Sequence, residues 1–295
     1  MLSPALPGSL LSHSLRVGVI NIMPKAETYE RYVVQPLARS LLPVEPVWIR
    51  LRTHRYASSD GERIGRGYVE YDEATRSRPL DGLILTGAPV EELEFRDVHY
   101  WDELSEVLLA AHRDVECTLG LCWGGLALAK LLGIEKRLFP NKLFGVFQHE
   151  NLVPDDGLLG GTDDIFWCAH SRHAGARDRD LEAAHDEGRV RLLAHGREAG
   201  HTIFESTDGR FVMHLGHPEY EPTRLAEEWR RDAALKRADV QPPRHLDLSR
   251  PANVWRSHCN DFFSQWLLRI ATAVRGHAQS TALRTSGALD SGIVP

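Results

Sequence analysis

The stretch "LGLCWGGLALAK" (119–130) decides the fold of the chain. Just upstream, "VECTLGL" (115–121) is a short apolar run of strand length, and "WGGLALAKLLG" after Cys122 has the composition of a buried helix. Cys122 therefore stands where a strand turns into a helix, flanked by Gly120 on one side and by Gly124 and Gly125 on the other. A sharp turn of this kind packs backbone against backbone, and glycine leaves the room it needs. The turn sets the thiol at a helix N-terminus, where the dipole and free N–H groups favour thiolate and can hold an oxyanion. The same residues also suit a buried structural cysteine beside a glycine-rich helix start, which is the reading given to Cys117 inside the strand.

Working outward, the same design recurs. "RVGVINIM" (16–23), a helical pattern through "ETYERYVVQPLARSLL" that Pro36 can kink, and "VEPVWIRLR" (44–52) make a β-α-β unit. The polar stretch 53–78 reads as loop, with helix around "GYVEYDEATRS". "DGLILTGAPV" (81–90) is a buried strand that ends in a Gly-Ala-Pro turn, and "WDELSEVLLAAHRD" (101–114) is an amphipathic helix. Strand and helix alternating at this rate predict an α/β fold, a mostly parallel open sheet flanked by helices, with ligands at the carboxyl ends of the strands. Beyond residue 140, "KLFGVFQHENL", "IFWCAHS", "RVRLLAHG", "HTIFEST" and "RFVMHLGH" predict an antiparallel extension, closed by helices over 221–238 and 253–276. The expected organisation is a flexible lead over 1–15, one domain over 16–275 and a flexible tail over 276–295.

The chain has 295 residues with 42% hydrophobic and 26% charged, enough for a large core, and its net charge of −6 with scattered basic residues argues against a nucleic-acid or anionic-membrane partner. Four cysteines without a CxxC pair form neither a disulfide framework nor a zinc site, so no metal is expected and a reducing cytoplasm fits best. The N-terminal 14 residues carry two prolines, lack a basic region and are too short to span a bilayer.

Two further segments bear on Cys122. In "LGHPEYE" (215–221), His217 and Glu219 lie two apart, so that a carboxylate can orient an imidazole base and stabilise its imidazolium. The trimer H-P-E could equally be a turn before a helix, and it is the cysteine elbow that favours a Cys122–His217–Glu219 triad. In "LTGAP" (85–89), the N–H groups of Gly87 or Ala88 could join that of Trp123 as an oxyanion hole, although the segment also reads as a plain turn.

G-x-C-x-G-G followed about a hundred residues later by H-P-E resembles the class I glutamine amidotransferase architecture. The blocks "INIMPK", "DGLILTGAPVEELEF", "DVHYWDEL", "LCWGG", "KLFGVFQHE", "AHSRHA", "LGHPEY", "LAEEWRRD" and "WRSHCNDFFSQWL" narrow this to a resemblance to the homoserine O-acyltransferase family, the type built on that fold. The resemblance implies ping-pong acyl transfer from acyl-CoA to the homoserine hydroxyl, with Cys122 as nucleophile, His217 as base and Glu219 orienting it. It implies Lys142, Ser171 and Arg231 as substrate residues, although from sequence alone Lys142 and Arg231 read as surface charges. It makes Glu91 the selector of the acyl donor, glutamate going with acetyl-CoA and glycine with succinyl-CoA. Small-molecule substrates follow, with CoA as cosubstrate and no prosthetic group; a homodimer stays open.

The segment "AETYERYVVQPLARS" and the linker "QPPRHLDLSRP" depart from the family pattern, which keeps L-serine open as acceptor. A glutaminase of the amidotransferase kind, sharing the triad, and a non-catalytic module on the same fold are the readings from other classes.

Overall fold

The computed structural model describes residues 14–289, except 57–60, 77 and 156, with side chains as far as residue 277. Among these residues nine strands form one sheet: β1 (Leu15–Ile20), β2 (Val44–Ile49), β3 (Gly82–Leu85), β4 (Cys117–Leu121), β5 (Arg137–Asn151), β6 (Ile165–Gly175), β7 (Val190–Gly196), β8 (Gly200–Ser206) and β9 (Phe211–His214), in the order β2-β1-β3-β4-β9-β8-β7-β5-β6. The pairs from β2 through to β9 are parallel and the rest antiparallel. Strands β3, β4 and β9 are buried at every position, as expected where both faces of a parallel sheet are covered.

The helices are α1 (Ala26–Ala38), α2 (Gly61–Gly67), α3 (Tyr71–Arg76), α4 (Trp101–Asp114), α5 (Trp123–Leu131), α6 (Asp178–Asp186), α7 (Pro222–Ala234) and α8 (Arg256–Leu289). On one face of the sheet, Leu104 and Leu108 of α4, Leu126 of α5 and Leu181 of α6 build a core with Leu83, Leu85 and Met213. On the other, Val33 and Leu37 of α1 and Phe262, Phe263 and Trp266 of α8 pack on Val17, Val19, Ile84 and Leu119. No helix among the described residues is long and apolar enough to cross a membrane.

Four expectations change. The "RFVMHLGH" segment is antiparallel to β8 but joins the parallel half through β4, with Thr118 opposite Phe211 and Leu121 opposite His214. A short hairpin turn discloses the first neighbour of a strand and says nothing about the second. Helix α6 replaces an expected connection: only Leu181 and Ala184 are buried on it, too narrow a stripe to stand out in "DRDLEAAHD". Helix α2 falls in the stretch read as loop. Helix α8 runs past residue 276 to Leu289, because no proline interrupts it and Ala, Leu, Gln and Arg sustain a helix. Of the expected lead, residues 1–13 lie outside the described residues, and β1 opens at Leu15.

Candidate active site

The strand register assembles the site. Leu85 pairs with Gly120 across β3 and β4, and Leu121 with His214 across β4 and β9, so the chain leaves three neighbouring strands at one level. The Cys122 N–H donates to the His214 carbonyl at 2.8 Å, which holds the elbow against the start of the His217 segment. Cys122 itself has φ 50° and ψ −113°, a strained conformation for a residue with a side chain. The glycines make it affordable in space: a Cβ on Gly120 would stand 2.5 Å from the Gly124 carbonyl, and one on Gly124 would stand 2.5 Å from the Leu85 carbonyl oxygen.

His217 Nδ1 lies 2.8 Å from Glu219 Oε1, and the ring stacks on Tyr220 with centroids 3.9 Å apart. Its backbone N–H is fixed on the Ala169 carbonyl. His217 and Glu219 sit in the turn after β9, and both side chains are nearly out of solvent. Burial by itself would lower the imidazole, but the charges of and hydrogen bonds to Cys122 and Glu219 raise it well above its ordinary value.

Cys122 is buried, on the wall of a cavity of about 240 Å³. Burial pushes its thiol up, and the Glu91 carboxylate adds to this against the opposing effect of His217. Desolvation thus works against the helix N-terminus at this thiol, and His217 is the neighbour that favours its ionisation. Glu91 Oε1 is 3.6 Å from Cys122 Sγ, while Oε2 accepts the His173 backbone N–H. Burial raises the Glu91 carboxyl too, despite that bond and the nearby His217 and Lys142.

Gly87, Ala88, Glu91, Lys142, Ser171, His217 and Arg231 all line the cavity with Cys122. A side chain on Gly87 would stand 3.5 Å from Cys122 Cβ and 3.6 Å from His217 Cε1, so the 85–89 turn lies directly against the pair. Trp123 opens α5 with its ring fully buried. Glu219 stands behind His217. Lys142 is buried between Asp232, at 2.8 Å, and Glu228, at 3.6 Å, and is no surface charge. Ser171 Oγ donates to Glu228. Arg231 is half-exposed and turned onto Asp232 at 2.7 Å.

Sequence reasoning missed Arg224, Glu228, Asp232 and Tyr220. Arg224, Glu228 and Asp232 follow one another at four-residue spacing on α7, which aligns them on one face of the helix. Arg224 lies 2.9 Å from Glu228 and donates to the Tyr29 hydroxyl at 3.0 Å. That charged stripe was readable in "RLAEEWRRD". Its burial was not.

Similarity to known proteins follows the same lines. A family model described as homoserine O-succinyltransferase matches residues 11–274. The homoserine O-acetyltransferase of Brevibacillus brevis is 38% identical over 259 residues, covering 86% of this chain and 83% of its own. That of Acetivibrio thermocellus is 36% identical with the same coverage. Among solved structures, a glutamine amidotransferase from Methylobacillus flagellatus aligns over 87% of this chain and 94% of its own at TM-score 0.54 and 14% identity. One from Thermotoga maritima aligns over 88% and 97% at TM-score 0.51 and 16% identity, a likeness of fold alone.

Proposed function

The chain belongs to the homoserine O-succinyltransferase family, and on that premise we propose that it is a homoserine O-acyltransferase that transfers an acetyl group from acetyl-CoA, serving methionine biosynthesis. The family model and the relatives carry different acyl groups in their names, so the donor has to be argued from the site. The observation that carries the choice is Glu91, whose carboxyl stands 3.6 Å from the Cys122 thiol. An acetyl group on that sulfur ends at its methyl. A succinyl group would extend a second carboxylate into a space that Glu91 fills and, when ionised, repels.

In the first half-reaction, Cys122 Sγ attacks the thioester carbonyl as its proton passes to His217. The backbone N–H groups of Trp123 and Gly87 or Ala88 receive the oxyanion, and the bond to the CoA sulfur breaks as His217 returns the proton to it. In the second, His217 takes the proton of the homoserine hydroxyl as that oxygen attacks the acetyl-cysteine, and the proton returns to Cys122. Glu219 orients His217 and stabilises the imidazolium in both. Arg231 and Lys142 offer cations for the acceptor carboxylate, and Glu228 offers a carboxylate, braced by Ser171, for its ammonium. The thioester and the thiol supply the reactivity, so the chemistry asks for no metal or prosthetic group.

CoA release would be measured with acetyl-CoA and succinyl-CoA, each against L-homoserine and L-serine. Fast turnover with acetyl-CoA and homoserine alone is expected; preference for succinyl-CoA or serine would overturn the donor or the acceptor. Acetyl-CoA alone should leave a mass increment of one acetyl group on Cys122, absent from Cys122→Ala. Ammonia released from glutamine would point to a glutaminase instead.

A further inference from the structure

In the β7–β8 hairpin, His195 and His201 are direct cross-strand partners, and their rings meet edge to face with centroids 4.7 Å apart. Asp178, the first residue of α6, faces the pair. Its Oδ2 lies 3.1 Å from His195 Nε2, and its Oδ1 accepts the His201 backbone N–H at 2.9 Å. The three residues each offer a ligand atom such that all three atoms lie within 4.8 Å of one another. None of them lines the cavity at Cys122.

His201 is 8% exposed, and its Nδ1 finds no hydrogen-bond partner among the described residues. Its Nε2 lies 3.7 Å from Glu182 Oε1, one turn along α6 from Asp178. A buried ring nitrogen left without a partner is costly unless something donates to it or coordinates through it.

We propose that Asp178, His195 and His201 bind one divalent transition-metal ion of the zinc type, which clasps the start of α6 to the β7–β8 hairpin. Two imidazoles and one carboxylate suit Zn²⁺ and its neighbours, whereas Mg²⁺ and Ca²⁺ take oxygen ligands. The 3.1 Å between His195 Nε2 and Asp178 Oδ2 is the edge spanned by two ligands each about 2.0–2.1 Å from a shared ion. In the bound form the His195 ring carries its proton on Nδ1, so that Nε2 presents its lone pair to the ion beside Asp178 Oδ2, and water completes the coordination. Asp178 Oδ1 stays on the His201 N–H.

The role this assigns is structural. Next to Gly200, where the hairpin turns, the Ala199 carbonyl accepts from Arg172 Nη2 at 2.6 Å, so the clasped segment also holds a guanidinium buried near Cys122. A second cluster, Cys168, His214 and His258, is less suited to an ion. There His214 Nδ1 accepts the Gly216 N–H at 3.1 Å, which puts the ring proton on Nε2, the atom facing His258.

The test uses the full chain carrying Cys122→Ala, so that the nucleophile cannot take the ion, stripped with a chelator and titrated with Zn²⁺ by calorimetry and with Co²⁺ by absorption. One ion per chain is expected, with no sulfur-to-metal charge-transfer band and a rise in thermal midpoint on adding Zn²⁺. Added His195→Ala or Asp178→Asn should weaken binding at least tenfold and abolish the rise. His195 is a third exposed, so His195→Ala decides if Asp178→Asn fails to fold. Absence of binding, affinity unchanged in His195→Ala, or a thiolate band that places the ion at Cys168 would each overturn the proposal.

Discussion

At Cys122 a positive φ is imposed on a residue with a side chain, and the surrounding backbone has to hold it there. The strain is put to use only if the base beside it is ready, which makes Glu219 the residue to test. Glu219→Gln removes a charge that raises His217, so the imidazole pKa falls. The base acts in its neutral form, so the acid limb of the kcat/KM profile should move to lower pH. The maximum should drop by about 10²–10⁴-fold, because the imidazolium formed during reaction loses its stabiliser. An acid limb that stayed in place would mean that Glu219 does not set the base. Glu91→Gly tests the donor argument: opening the space beside Sγ should raise the ratio of kcat/KM for succinyl-CoA over acetyl-CoA by about tenfold or more, the worth of roughly 1–3 kcal/mol of pocket discrimination. An unchanged ratio would place donor selection elsewhere.

At the scale of the element, α5 is bound to the sheet by contacts that tolerate no Cβ. In an isolated helix Gly124→Ala would help by about 1 kcal/mol. Here the new methyl would meet the backbone oxygens of Leu85 and Thr86, at 2.5 and 2.8 Å, and neither can swing aside as a side-chain tip could. Overpacking of about 1–3 kcal/mol should win. Denaturant unfolding should show net destabilisation, and kcat should fall as α5 lifts the elbow away from Gly87. A stabilised variant would show that strand and helix separate freely. The α7 stripe makes the complementary point, since Arg224, Glu228 and Asp232 share a face by helical period but acquire buried partners only because Tyr29 and Lys142 arrive from α1 and β5.

Across the whole molecule, two cores on opposite faces of one sheet divide the labour. None of the described residues of α8 lines the cavity. Trp266, fully buried there with its Nε1–H on Cys117 Sγ at 3.2 Å, should cost about 3–5 kcal/mol on substitution by alanine. The folded fraction of Trp266→Ala should keep its kcat, measured by activity against the folded population in a urea titration; a matching loss of kcat would show that the two faces are coupled. Sequence alone determined the α/β class, the elbow at Cys122, the "HPE" segment and the family blocks, because hydrophobic period, glycine spacing and turn chemistry are local and act within a few residues. Tertiary structure alone decided that β9 lies parallel beside β4, that Lys142 is buried between two carboxylates, and that Glu91 stands over the thiol and pushes it up. Those depend on which distant segments share a surface and how much water they exclude, and desolvation and through-space charge are properties of that assembly, not of residue order.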